Sequence, residues 1–310
     1  MNSNPIIIIL GEPNSVFIEI LFKSFRKYKS KKPIVIIGSI KLLKGQLMKL
    51  KLNLKKETIN HTNAKLKNIK NNKLNIINVE YKFKKPFEKI SNKSNNYLSK
   101  SFDLAFKIAK KHKISGLING PISKKYFLKN KYLGITEYIS SKFNIKDKFA
   151  MLIYNKSLSV SPITTHLPLE KVARKIDEKS IISKAILIHN FYKKFFLTRP
   201  KIAICGLNPH CENFFNKSEE NKFIKPAVKK LRKKKINIDG PFPADTIFLE
   251  SLRKKYNVII GMYHDQVLSP IKSLFGFNAI NITLGLPFIR ISPDHGPNFG
   301  MIGKNKSNPQ

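Results

Sequence analysis

Three of the seven histidines in this 310-residue chain close apolar runs: His166 ends SVSPITTH, His210 ends KIAICGLNPH and His264 ends NVIIGMYH. Read as strands, these runs deliver each imidazole to the carboxyl edge of a sheet, where open α/β folds place their ligands. Imidazole ligates zinc and several other divalent first-row metals, and three protein ligands with one position left open describe a catalytic rather than a structural site. One such histidine alone reads first as a cap or core residue, whereas three in the same position point to a metal. The other four carry less, and His112 in AKKHK and His189 in ILIHN sit in helical patterns.

Only 19 residues are Asp or Glu, so carboxylates in uncharged, turn-rich segments stand out: Asp245 in GPFPADT, Asp265 beside His264, and Asp294 in SPDHG. A carboxylate beside a ligated imidazole can orient the ring or take a proton from a metal-bound hydroxyl. Asp245 reads equally as a helix N-cap, because PADTIFLESL begins a helical pattern, and both roles stay open. Lys272 in SPIKSLFGF and Arg290 in LPFIRISPDHG are single cations in apolar, Gly/Pro-punctuated segments, where desolvation is costly without an anionic partner. Asn281, between Ile280 and Ile282 in a strand, faces away from both, which suits a ligand or an outward strand face.

The elements that must position these groups follow from the apolar pattern. Short runs at 6–10, 33–38, 74–79, 116–119, 150–154, 158–164, 201–205, 258–262 and 279–284 alternate with helical periodicity at 16–28, 97–111, 178–196 and 221–234. That alternation predicts an α/β protein with a largely parallel sheet. The polar, Lys- and Asn-rich stretch 49–72 reads as a surface excursion. The first strand leads into GEPNSVF, which is not the glycine-rich dinucleotide turn, so a nicotinamide cofactor would bind without that cradle.

Composition narrows the classes. With 42% apolar residues, 22 Phe and 14 Gly the chain is globular and long enough for two lobes. The net charge of +40 first suggests a polyanion binder, but the lysines are scattered and accompany an excess of Ile, Asn and Phe, a pattern explained by AT-rich codons. No stripe of basic residues interleaved with stacking aromatics supports specific nucleic-acid binding. Two cysteines, Cys205 and Cys211, form no disulfide framework, and PIIIIL is far short of a signal peptide or membrane span, so a cytoplasmic protein is expected, with no membrane partner.

The segments VSPITTHLPLEKV, PKIAICGLNPH, GPFPADTIF, MYHDQ and GFNAINITLGLPFIRISPDHG resemble, in order, the signature segments of the 4-hydroxythreonine-4-phosphate dehydrogenase family, and LGEPNS, NGPISKK and GITEYIS are compatible with its first half. The resemblance implies a two-lobed, three-layer α/β/α fold like the isocitrate and isopropylmalate dehydrogenases. One lobe would comprise 1–125 plus 272–310 and the other 126–271, with the active site in the cleft. It implies a divalent metal (Zn, Mg or Co) on His166, His210 and His264, beside which Asp245, from the residue reading, is the candidate catalytic carboxylate. Substrate contacts fall at Thr136, Lys272, Asn281 and Arg290. The loop carrying Asp294, His295 and Gly296 would meet the adenosine end of NAD or NADP. The implied reaction is oxidation and decarboxylation of a small phosphorylated hydroxythreonine in vitamin B6 synthesis, in a homodimer where His264 reaches the metal held by His166 and His210 of the other chain.

The chain departs from the family at four places. Ile135 replaces the His before Thr136, which removes a substrate hydrogen bond. GEPNSVFIE lacks the family's glycines, DHGPN lacks its Thr-Ala, and Cys211 follows His210 in place of a small residue. The sequence reaches Gln310 about where the family begins its last helix. The alternatives are a related dehydrogenase acting on a phosphothreonate or phosphoerythronate and, more distantly, a nucleic-acid binder with an inactive site.

Overall fold

The computed structural model describes residues 4–52, 59–71, 73–128, 131–145, 148–211 and 218–309, which form two compact units, 1–135 with 288–310 and 136–287. The expected divisions at 125/126 and 271/272 thus fall ten and sixteen residues later. The second shift follows from packing: helix α8 (His264–Phe275) lies on strands β7 (Ser159–Pro162) and β10 (Val258–Gly261), and β11 (Ile280–Leu284) pairs with β6 (Ala150–Tyr154).

In the first unit β1 (Ile6–Ile9), β2 (Ile34–Gly38), β3 (Ile59–His61), β4 (Leu74–Asn78), β5 (Gly116–Asn119) and β12 (Arg290–Pro293) lie in the order β3-β4-β2-β1-β5-β12, with every pairing parallel. A parallel sheet is covered on both faces, which is why β1 and β2 read as nearly unbroken Ile and Val. Ile7, Ile9, Val35, Ile36 and Ile37 are wholly buried, each worth about 2 kcal/mol of apolar burial. Helix α1 (Phe17–Lys27) contributes Phe17, Ile18, Leu21 and Phe22 to that core beside α2 (Ile40–Lys49), whose N-cap Ser39 accepts the Leu42 amide, while α3 (Asn95–Lys111) packs on β1 and β2. Gly11, with φ 72°, and Gly120 bring the exits of β1 and β5 into backbone contact: a Cβ on Gly11 would lie 2.7 Å from the Gly120 carbonyl carbon.

The stretch 49–72 is not simply a surface excursion. Leu50 and Leu52 are buried, β3 joins the sheet, and Asn75 ties the segment down by accepting Asn60 Nδ2 (2.7 Å) and the Lys70 amide (2.9 Å). Residues 53–58 and 72 lie outside the described residues.

The second unit holds β6, β7, β8 (Ile202–Cys205), β9 (Ile238–Phe242), β10 and β11 in the order β11-β6-β7-β10-β8-β9. The β11-β6 and β6-β7 pairings are antiparallel and the other three parallel. Helix α4 (Ile135–Lys142) opens this unit, and α5 (Glu178–Phe195), α6 (Lys225–Lys233), the short α7 (Glu250–Arg253) and α8 complete it. Asp177 caps α5 by accepting the Ser180 amide, and Lys193 and Lys194 close its carboxyl end, where cations suit the helix dipole. Among the described residues no helix is long and apolar enough to cross a membrane.

Candidate active site

Strands β7, β10 and β8 are parallel neighbours, with Val258 opposite both Ser159 and Ile202. Their carboxyl ends therefore leave the sheet at one edge, and His166, His264 and His210 follow each within five residues. The exits of β7 and β10 stay zipped past the strands: Ile163 donates to the Gly261 carbonyl (2.7 Å), and Thr164 donates to that of Met262 through its amide (3.0 Å) and its hydroxyl (2.8 Å). This holds the His166 and His264 rings with centroids 5.4 Å apart.

Each of the three imidazoles faces a carboxylate with Nδ1. Asp265 Oδ1 lies 2.6 Å from Nδ1 of His264, Asp245 Oδ2 3.6 Å from that of His210, and Glu137 Oε1 3.7 Å from that of His166. The first contact is a hydrogen bond and the other two are ion-pair distances. At His264 that hydrogen bond favours the tautomer that leaves Nε2 as a bare nitrogen, the arrangement metal-ligating histidines adopt. Glu137 is further fixed by the Thr165 hydroxyl, which donates to Oε1 at 2.7 Å. Burial raises the Glu137 carboxyl, but His166, Thr165 and its own backbone amide outweigh that and hold it at about 2.

The donor chemistry fits a divalent first-row ion. Oε2 of Glu137, beside His166, is buried with no hydrogen-bond partner, and an acceptor of that kind suits a site that takes a cation. The count within one chain falls short: among the described residues no three His, Cys, Asp or Glu side chains gather to hold an ion. His166 and His264 form the near pair, and His210 stands with Asp245. Within one chain it is thus His264 that lies beside His166. The cause is strand order, since β7 and β10 are direct neighbours.

The other expected residues divide between the units. In the second, Thr136 is buried in the first turn of α4, and Lys272 on α8 sits with Nζ 4.8 Å from the Phe277 ring centroid. Asn281 on β11 has Oδ1 buried and without a hydrogen-bond partner, as a substrate contact requires. In the first unit Arg290 is among the largest fully buried side chains, and its Nε donates to Asn119 Oδ1 at 2.7 Å. The loop after β12 carries Asp294, His295, whose Nδ1 lies 2.7 Å from the Gly296 carbonyl, and Gly296, beside which a Cβ would meet nothing within 4 Å. That open backbone fits approach by a flat nucleotide. Asp245 caps no helix, because α7 begins at Glu250 after Leu249; it is more than half exposed beside His210.

Sequence reasoning missed Glu137, although the criterion that singled out the aspartates, a lone carboxylate in an uncharged stretch, applies to it in LGITEYISS. It also missed Asn119, which carries no such mark.

The family described as "Pyridoxal phosphate biosynthetic protein PdxA" matches residues 29–310. The 4-hydroxythreonine-4-phosphate dehydrogenase of Sulfurihydrogenibium sp. is 38% identical over 312 residues, 97% of this chain and 93% of that protein. The D-threonate 4-phosphate dehydrogenase of Pectobacterium atrosepticum is 33% identical over 218 residues, 67% of each chain. The crystal structure of 4-hydroxythreonine-4-phosphate dehydrogenase from Klebsiella pneumoniae superposes with a TM-score of 0.79 at 27% identity, covering 99% of this chain and 95% of that one.

Fold and relatives together define an α/β enzyme of the dehydrogenase class. Such enzymes need a hydride acceptor, and the family implies a nicotinamide cofactor and a divalent metal. The chain belongs to the family of the pyridoxal phosphate biosynthetic protein PdxA.

Proposed function

We propose that this enzyme oxidises 4-phosphohydroxy-L-threonine with NAD or NADP and releases carbon dioxide to give 3-amino-2-oxopropyl phosphate in vitamin B6 synthesis. The observation that carries the reading is the set of three strand-end imidazoles, each backed by a carboxylate on Nδ1. We assign the enzyme to the cytoplasm, where the free Cys205 and Cys211 stay reduced. The +40 charge draws in a phosphorylated anion and needs no nucleic-acid partner.

His166, His210 and His264 would hold the metal, with zinc or cobalt favoured over magnesium by three imidazole nitrogens. An ion held there would supply Lewis acidity at the substrate oxygen. Lys272 and Arg290 hold the phosphate and carboxylate, Arg290 as a pre-aimed fork whose Nε is fixed by Asn119. Thr136 and Asn281 orient the hydroxythreonine, and Asp245 Oδ2 takes the hydroxyl proton. Asp294, His295 and Gly296 would hold the adenosine end of a nicotinamide cofactor, which would supply the acceptor for the hydride of the hydroxyl carbon. The resulting β-keto acid then loses its carboxylate, and the electron pair left behind passes to the ketone oxygen before protonation. We further propose a homodimer with a shared site, in which His210 of a second copy completes the pair formed by His166 and His264, because among the described residues no third ligand joins that pair within one chain.

A second reading rests on Ile135, where the family has a histidine, and on the D-threonate 4-phosphate dehydrogenase among its relatives. An assay of NADH and NADPH formation on 4-phosphohydroxy-L-threonine, phosphothreonate and phosphoerythronate, with and without chelator, separates the two. The first reading expects the highest kcat/KM on the hydroxythreonine and its loss with chelator. A preference for phosphothreonate overturns the substrate, and full activity after metal removal overturns the site.

A further inference from the structure

The turn that leads into His210 is held by two buried side chains that lie outside it. Glu220, wholly buried on the π-helical turn Glu220–Ile224, accepts the amides of Leu207 (2.8 Å) and Asn208 (2.9 Å) on Oε1 and Asn208 Nδ2 (2.8 Å) on Oε2. Gln266 on α8 donates Nε2 to the Gly206 carbonyl (2.8 Å) and accepts the Met262 amide on Oε1 (2.6 Å). It therefore bridges the exit of β8, which runs to His210, and the exit of β10, which runs to His264.

The space around this turn is full. A Cβ on Gly206 would lie 2.5 Å from Cys211 Sγ and 3.1 Å from Glu220 Oε1. His210 and Cys211 both hold left-handed backbone, with φ 56° and 55°, a conformation that non-glycine residues keep only when their surroundings impose it. Burial pushes the Glu220 carboxyl up, but the Asn208 and Leu207 donors outweigh it and keep it below the usual carboxylate value. A buried carboxylate with three donors and a buried amide satisfied at both ends form a scaffold more specific than an apolar core requires.

We propose that Glu220 and Gln266 are positioning residues for the metal site: Glu220 fixes the turn that aims His210, and Gln266 locks that turn to the strand exit carrying His264. The inference rests on the reading of these histidines as metal ligands. Metal coordination tolerates distance errors of only about 0.2 Å, so ligand placement, and with it metal affinity, depends on two side chains that touch neither metal nor substrate.

The test is titration of the metal-free, full-length protein with Co2+, reading the visible absorption of the bound ion, with His210→Ala as reference and urea midpoints as a check on folding. Glu220→Gln turns one acceptor into a donor that faces Asn208 Nδ2. Gln266→Met removes both bridging hydrogen bonds at similar volume. Each should weaken Co2+ binding about tenfold and alter its spectrum. Because Asn208 Nδ2 also donates to Glu219 Oε2 (3.0 Å), adding both Asn208→Asp and Glu219→Gln to Glu220→Gln restores the side-chain pairs with donor and acceptor exchanged and should recover most of the affinity. If Glu220→Gln does not fold, Gln266→Met carries the comparison. Clamp variants that bind Co2+ like the wild type while His210→Ala does not overturn the positioning role alone, as does a loss that follows the urea midpoint and is not rescued. Wild-type binding by His210→Ala overturns the metal reading beneath it.

Discussion

Asn119→Ala isolates the support of the buried arginine. Asn119 is 1% exposed at the end of β5, and Arg290, 0% exposed, opens the neighbouring β12 with its Nε 2.7 Å from Asn119 Oδ1. A hydrogen bond to a charged group contributes about 1.5–3 kcal/mol, and the neutral bond from Asn119 Nδ2 to the Gly120 carbonyl (2.8 Å) about 1 kcal/mol. The alanine variant should therefore lose about 3 kcal/mol by urea denaturation at pH 7, or about 6–12 °C in Tm for a unit of this size. Asn119→Asp keeps the acceptor and places a carboxylate against the guanidinium, so it should lose less than alanine does. Because Arg290 is proposed to grip the substrate, Asn119→Ala should also raise KM more than it lowers kcat. A change in stability below about 0.5 kcal/mol, within the range of an ordinary surface substitution, would refute the assignment of Asn119 as the partner that holds Arg290.

Three further outcomes are expected. In metal-free protein the wild type should exceed Glu137→Gln by about 3 kcal/mol at pH 7, since the Glu137 pKa falls from 4.5 to about 2 and each unit is worth about 1.4 kcal/mol. A depressed carboxyl stabilises fully above its unfolded value and loses that contribution as pH falls toward the folded one, so the gap should shrink to about half or less by pH 3; a constant gap means packing, not charge, is responsible. Asn281→Leu removes a buried acceptor that has no hydrogen-bond partner, so it should leave the urea midpoint unchanged or raised while KM rises about tenfold, and an unchanged KM removes Asn281 from the site. For the shared dimer, inactive His166→Ala and His210→Ala proteins refolded together should regain activity in about a quarter of all sites, whereas His166→Ala with His264→Ala regains none; recovery in the second mixture and not the first reverses the assignment.

Strands buried on both faces announce themselves as apolar runs, and all nine runs in this sequence became strands. The three that were not legible fail that condition. β3 and β9 are sheet edges, with no need of apolar residues on both faces, and β9 reads IDGPF. β12 reads RISP because its buried positions are an arginine and a serine. Helix α2 was masked by Gly45 and α8 by Pro270, both residues that weaken a helical pattern. The candidate ligands were legible because a histidine closing an apolar strand is a local feature. Which histidines meet was not, since the adjacency of β7 and β10 spans about a hundred residues of chain. For the same reason Glu137, delivered from α4, could be noticed but not matched to His166.

The first unit is built from two stretches of chain, and the second from one, which bears on how the protein is made. Residues 136–287 are synthesised whole before β12, so the second unit can fold on the ribosome as soon as it emerges, as contiguous domains do. The first unit cannot, because β5 ends at Asn119 and waits for its β12 neighbour, which begins at Arg290, through the synthesis of the 170 residues between them. During that interval one edge of β5 is an unpaired parallel strand bearing Leu117, a template for unwanted pairing until Arg290 and Ile291 arrive. A ribosome stalled short of residue 288 should therefore present a protease-resistant second unit and a protease-sensitive first one.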